Sequence, residues 1–165
     1  MDRMMPSPRL GVMRNVVLII TDDLGMGDAA PYGHARNPTP NLCRLAAEGV
    51  RCTQFQTSGP VCSPTRAALY TGRQPQRCGI EGVVSAAHHR HTGMHRDTPT
   101  LMQMLGSAGI PTGLFGKWHL GYSPEFGPNH FGCETFCGFV SGNVDYQSHV
   151  DQAGCADWWR DQRLE

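Results

Sequence analysis

Apolar positions along this chain fall into short clusters separated by polar and glycine-rich stretches. Val16 to Thr21 is an unbroken β-branched and apolar run, the pattern of a strand buried on both faces of a parallel sheet. A glycine- and proline-rich turn follows as far as Pro40. From Thr39 to Gly49 the period becomes helical, with Leu42, Leu45 and Ala46 on one face and Gly49 as the stop. Val50 to Gln56 alternates as a short strand does. Pro64 to Tyr70 predicts a helix with Ser63 as its cap, Pro64 at the first position and Gly72 at the end. Residues 76–97 read as a long loop. Thr98 to Gly109 predicts another helix that turns Leu101, Met104, Leu105 and Ala108 to the core, and Thr112 to Phe115 a strand leading into Gly116-Lys117. Beyond it, Gly, Pro, Asn and aromatic residues predict irregular structure. Residues 1–14, with four Met, two Pro and three Arg and no period, read as a tail.

Strands alternating with helices imply an α/β layered fold with a mainly parallel sheet. Ligands in such sheets gather at the carboxyl ends of the strands. Asp22-Asp23 follow one expected strand, Cys62 a second, and Lys117 and His119 a third, so three separated motifs are expected at one edge. Composition narrows the picture. With 165 residues, 20 Gly, 12 Pro and 39% hydrophobic content, the chain has material for one modest, loop-rich domain. Its net charge of zero gives no electrostatic case for a nucleic-acid or membrane-surface partner. No apolar stretch approaches the roughly 18 residues of a membrane helix.

Candidate chemistry centres on Cys62-Ser63-Pro64-Thr65-Arg66, which continues to Thr71-Gly72-Arg73. A cysteine at a helix start meets unpaired backbone donors and the positive end of the dipole, which favour a thiolate or a bound anion. By itself the pattern also fits a buried cysteine beside an ordinary cap. The whole string resembles the signature of the sulfatase family. The resemblance extends to Asn15–Gly25, which looks like the family's first strand and metal-binding turn, and to Gly116-Lys117-Trp118-His119-Leu120-Gly121. It continues through Phe131-Gly132, Phe136-Cys137-Gly138-Phe139 and Asp145-Tyr146-Gln147-Ser148-His149, in the family's order.

The resemblance implies an alkaline-phosphatase-like layered sandwich, of which residues 15–165 are the N-terminal portion of a catalytic domain. It implies that a formylglycine-generating enzyme oxidises Cys62 to formylglycine, whose hydrate attacks the sulfur of a sulfate monoester. Calcium, or less readily magnesium, is the implied metal, held by Asp22, Asp23 and the formylglycine made from Cys62. Adjacent carboxylates suit a hard cation that prefers oxygen, although the same pair is also an ordinary solvated turn. Arg66, one helical turn from Cys62, is implied to stabilise the hydrate. Lys117 is implied to hold the sulfate, and His119 to hydrogen-bond the formylglycine hydroxyls or move protons, although either also fits a surface position with Trp118 in the core. Alternation on an extended segment points Lys117 and His119 the same way, while Arg73 reads as structural. Sulfated carbohydrates and aryl sulfates are both open as substrates. The family's second acidic/amide metal pair and a later His and Lys are not found before Glu165. The expectation is therefore a fragment that turns over little or nothing by itself.

Two alternatives stay open: a formylglycine-dependent hydrolase of phosphodiesters or phosphonate esters, and a non-catalytic remnant that binds only a partner or metal. The absence of a signal-peptide pattern before Val16 implies either a cytoplasmic protein or an incomplete start. Of seven cysteines, six besides Cys62 can pair or stay reduced; Cys133 and Cys137 have a zinc-like spacing but no second half. The His88, His89, His91 and His95 cluster fits no closed metal site and reads as an exposed loop. His149 and Trp158-Trp159 read as structural. Gly25-Met26-Gly27-Asp28-Ala29-Ala30 has dinucleotide-binding spacing, but Pro31 breaks the required helix and Asp22-Asp23 would repel a pyrophosphate.

Overall fold

The computed structural model describes residues 15–33 and 36–165, in two units divided after Thr53. The expected tail at 1–14 lies outside the described residues. In the first unit, short 3-10 turns at Met26–Asp28 and Ala30–Tyr32 precede helix α1, Pro40–Glu48. Thr39 precedes the helix and Pro40 opens it, in keeping with proline's fixed φ. The Thr39 hydroxyl accepts the Ala30 N–H at 3.0 Å, Tyr32 Oη donates to the Cys52 carbonyl at 3.2 Å, and Arg51 donates to the Pro31 carbonyl. Two expected strands do not form. Val16 to Thr21 has no ladder partner among the described residues, and Val17 is 83% exposed. Val50 to Gln56 is likewise without strand structure. A strand exists only through its neighbour's hydrogen bonds, so β-branched pattern alone does not make one.

The second unit carries the sheet. Strand β1 is Gly113–Lys117, β2 Thr135–Phe139, β3 Trp159–Arg160 and β4 Arg163–Leu164, in spatial order β1-β2-β3-β4. The longest ladder, β1 with β2, is parallel from Gly113↔Thr135 to Lys117↔Phe139; the two shorter ones are antiparallel. The fold is thus α/β with a mixed sheet, and the segment after residue 117, expected to be irregular, supplies three of its strands.

Helix α2 is Cys62–Thr71, and Gly72 ends it at φ 64°, where a Cβ would be strained. Helix α3, Leu101–Ser107, begins later than expected. Pro99 biases Thr98 away from helical backbone. Thr100 caps instead, its hydroxyl accepting the Gln103 N–H while Gln103 Oε1 accepts the Thr100 N–H. The buried face of α3 also differs. Met102 is buried and Leu105 half-buried, whereas Leu101, Met104 and Ala108 are exposed.

Helices α2 and α3 share one core with one face of the sheet. Ala67 and Tyr70 of α2, Met102 of α3, Phe136 of β2, and Trp118 and Phe131 meet there. Trp118 and Phe131 are fully buried; the Trp118 ring stacks on Tyr70 at 5.2 Å and lies 5.7 Å from Phe131. Trp118 Nε1 donates to the Phe126 carbonyl at 2.7 Å, satisfying its one polar atom. Period-2 alternation puts Phe115 and Lys117 on the other face, where Phe115 is 76% exposed. Among the described residues, no helix is long and apolar enough to cross a membrane.

Candidate active site

Helix α2 starts two residues before the expected point. Val61 is the extended N-cap residue, and the first helical bond runs from Thr65 N to Val61 O at 3.1 Å. Cys62 is therefore the first helical residue, half-buried, and Pro64 the third. Pro64 costs nothing there, because first-turn N–H groups have no intrahelical acceptor. The entering loop is tied down by Thr57 and Thr65, whose hydroxyls both donate to the Gly59 carbonyl at 2.9 Å. Ser63 is not the cap. It is fully buried, and its Oγ accepts the Val84 N–H at 3.1 Å.

Arg66, 5% exposed, reaches from α2 to the sheet and donates from Nη1 to the Lys117 carbonyl. Burial pushes the Tyr70 phenol up, and the Arg66 charge beside it pulls the other way. Lys117 ends β1 opposite Phe139. Beyond the strand the hydrogen bonds continue, Trp118 N to Phe139 O at 3.0 Å and His119 N to Val140 O at 3.2 Å. The expected alternation stops here, because His119 has φ 62°. Left-handed backbone redirects the side chain, so Lys117 and His119 do not point alike as an extended segment would make them.

His119 is 2% exposed and its Nε2 lies 2.9 Å from the Val84 carbonyl oxygen. Tyr122 Oη donates to the same oxygen at 3.2 Å. The Tyr122 phenol is pushed up to about 12, first by burial and then by the Asp151 and Asp157 carboxylates. Gly142 closes the other side of the imidazole, since a Cβ there would fall 2.5 Å from His119 Cε1 and Nε2.

Two buried carboxylates hold the surrounding loops. Asp157 accepts Val140 N at 3.1 Å, Ser141 N at 2.8 Å and Trp159 Nε1 at 2.7 Å, fixing the turn after β2. Asp151 accepts Arg90 Nη2 at 2.6 Å together with the Ala153 and Cys155 N–H groups. Burial raises the Asp151 carboxyl, but these donors outweigh it and hold it below the usual carboxylate range. The Arg90 guanidinium also lies 5.4 Å from the Tyr122 ring centroid.

Of the expected site residues, Cys62, Arg66, Lys117 and His119 belong to the second unit. There Arg66 meets the Lys117 backbone, and the Val84 backbone links Ser63, beside Cys62, to His119. Asp22 and Asp23 belong to the first unit, exposed in a bend where Asp23 has φ 53°. Their oxygen donors suit calcium or magnesium, and the left-handed backbone at Asp23 is a conformation met at ligand turns. Among the described residues, no three His, Cys, Asp or Glu side chains gather as a metal site. All seven cysteines are free thiols. Of the remaining candidates, His89 Nδ1 accepts Ser85 N at 3.0 Å, and His149 stacks on Trp158 at 4.4 Å. Sequence reasoning missed Val84, Tyr122, Asp157 and the Arg90–Asp151 pair. Only Arg90, a permanent cation inside a histidine tract, offered a local signal.

Comparison with known proteins agrees with this architecture. The family model described as Sulfatase matches residues 14–158. Arylsulfatase A of Bos taurus is 47% identical over 126 residues, covering 75% of this chain and 25% of that protein. N-acetylgalactosamine-6-sulfatase of Homo sapiens is 39% identical over 145 residues, covering 84% and 27%. The crystal structure of Ps i-CgsB in complex with k-i-k-neocarrahexaose superposes with TM-score 0.73 at 32% identity, covering 80% of this chain and 29% of that one. The chain belongs to the sulfatase family. It spans about a quarter of the length of these curated relatives.

Proposed function

We propose that this chain carries part of the active site of a hydrolase of sulfate monoesters, and that residues 15–165 are the N-terminal portion of its catalytic domain. The observation that carries the reading is the junction of α2 with the end of β1, where Arg66 binds the Lys117 carbonyl one helical turn from Cys62. Once Cys62 is converted to formylglycine by a formylglycine-generating enzyme, its hydrate supplies the oxygen that attacks sulfur. The family resemblance further implies a divalent cation, calcium in preference to magnesium, with Asp22 and Asp23 among the residues that would hold it, and it would act as a Lewis acid on the sulfate.

The chain's own groups do the rest. The first turn of α2 offers the Cys62 and Ser63 N–H donors and the positive end of the helix dipole, which favour an anion. Arg66 stabilises negative charge at the modified Cys62, and Lys117 holds a sulfate oxygen as a point charge. His119, locked by burial and by Val84, moves a proton at the nucleophile or leaving oxygen. A sulfated carbohydrate is favoured as substrate by the names of relatives such as N-acetylgalactosamine-6-sulfatase, and aryl sulfates by arylsulfatase A.

The test is sulfate release from an aryl sulfate and a sulfated saccharide, with a phosphodiester alongside, by the converted wild type and by Cys62→Ala. Sulfate release above the Cys62→Ala background is expected, at low rate because the chain spans only about a quarter of its relatives. Preferential phosphodiester cleavage would overturn the assignment, and equal behaviour of the two proteins would remove Cys62 from the chemistry.

A further inference from the structure

We propose that Ser63 is a positioning residue for His119, acting through the Val84 backbone so that the residue beside the nucleophile decides which imidazole nitrogen handles protons. Three buried hydrogen bonds meet on the backbone of this one residue, on the two peptide groups either side of its Cα. The Val84 N–H donates to Ser63 Oγ at 3.1 Å, and its C=O accepts from Tyr122 Oη at 3.2 Å and from His119 Nε2 at 2.9 Å. A carbonyl oxygen has no proton to give, so His119 Nε2 must be the donor. The neutral ring is then the Nε2–H tautomer, and its lone pair is on Nδ1.

Val84 and its partners are themselves buried. Ser63 is fully buried in the first turn of α2, Val84 is 5% exposed and Tyr122 8% exposed. The His119 ring packs close against Gly142, where an added Cβ would lie 2.5 Å from its Cε1 and Nε2. Protonation of the ring therefore takes place at Nδ1: the lone pair accepts the proton, while the Nε2–H stays on Val84. Ser63 thus does something other than cap a helix. It holds the N–H of the residue whose carbonyl selects the tautomer. Tyr122 is a second clamp on that carbonyl.

The catalytic meaning of this lock rests on the sulfatase reading, but the lock itself does not, and the experiment reads it without turnover. The 165-residue chain, labelled with 15N-histidine, is examined by long-range proton–nitrogen correlation NMR, with His119 assigned by loss of its signals in His119→Gln. Wild type is expected to give a single Nε2–H tautomer. Ser63→Ala is expected to lose that single pattern to a mixture, Ser63→Thr to regain it, and Tyr122→Phe to keep it because Ser63 still holds the peptide. Should Ser63→Ala fail to fold, Ser63→Cys under reducing conditions preserves the volume with a weak acceptor and is expected to give the mixture. A wild-type ring protonated on Nδ1, or a folded Ser63→Ala or Ser63→Cys protein with the wild-type tautomer, overturns the proposal. Preferential phosphodiester cleavage beside a single Nε2–H tautomer would refute the function and leave the lock standing.

Discussion

Asp157→Asn tests whether the turn after β2 is held by a charged acceptor. The carboxylate is 2% exposed and receives three donors: Val140 N and Trp159 Nε1 on Oδ1, and Ser141 N on Oδ2. An asparagine has one acceptor oxygen. If that oxygen takes the Oδ1 position, Val140 and Trp159 keep their bonds, but the new NH2 group faces the Ser141 N–H. One bond to a charged group, about 1.5–3 kcal/mol, is then lost, and the two survivors become neutral bonds of about 0.5–1.5 kcal/mol each. Local relaxation recovers part of this, so the net cost is about 2–4 kcal/mol, a large fraction of a domain's stability. The assay is urea unfolding followed by near-ultraviolet circular dichroism, with amide exchange at Ser141 as the local readout. The midpoint should fall at unchanged slope, and Ser141 should lose protection. A shift under about 1 kcal/mol, with Ser141 still protected, would refute the reasoning, because the carboxylate would then not be what satisfies these donors.

Removing the fully buried Trp118 ring in Trp118→Ala strips a stacking partner from Tyr70, and a loss of about 3–5 kcal/mol is expected in the same unfolding assay. Gly142→Ala places a methyl against His119, so displacement of the ring should appear as changed His119 imidazole shifts in a chain that keeps its fold. Asp151 has a folded pKa below its unfolded one, so its stabilising effect is complete above the unfolded carboxylate range and fades as pH falls through the folded value. Arg90→Gln should move that acid loss to higher pH, as followed by unfolding midpoints across an acid series. In an alkaline spectrophotometric titration, one phenol should ionise near 12 and vanish in Tyr122→Phe.

What was legible in the sequence follows the range of each interaction. Gly72 and Pro40 mark helix ends through their own backbone preferences, and α1 and α2 lie within two residues of where those signals put them. Ser63 looked like a cap because serine commonly is one, and no local pattern announces that Val84, 21 residues on, takes its hydroxyl. Thr135–Phe139 lies where Gly, Pro, Asn and aromatic residues predict irregular structure, yet the pairing with Gly113–Lys117 across the chain makes it a strand. Val16 to Thr21 is the opposite case, strand composition without a ladder partner among the described residues. Among the site residues, Cys62, Arg66, Lys117 and His119 were visible as a family pattern, but the left-handed turn at His119 was not, since it needs the Val84 and Gly142 contacts to hold it. Asp157 and Tyr122 matter only through what folds onto them.

The central claim stands or falls on Cys62. Co-expression with a formylglycine-generating enzyme, followed by mass spectrometry of the proteolytic peptide that contains Cys62, reads it directly. The account predicts a peptide in which the thiol has been replaced by an aldehyde, trappable with a hydrazide, and no such product when Arg66 of the motif is changed to alanine. A Cys62 that stays a thiol in the wild-type chain, while a known sulfatase expressed beside it is converted, would contradict it.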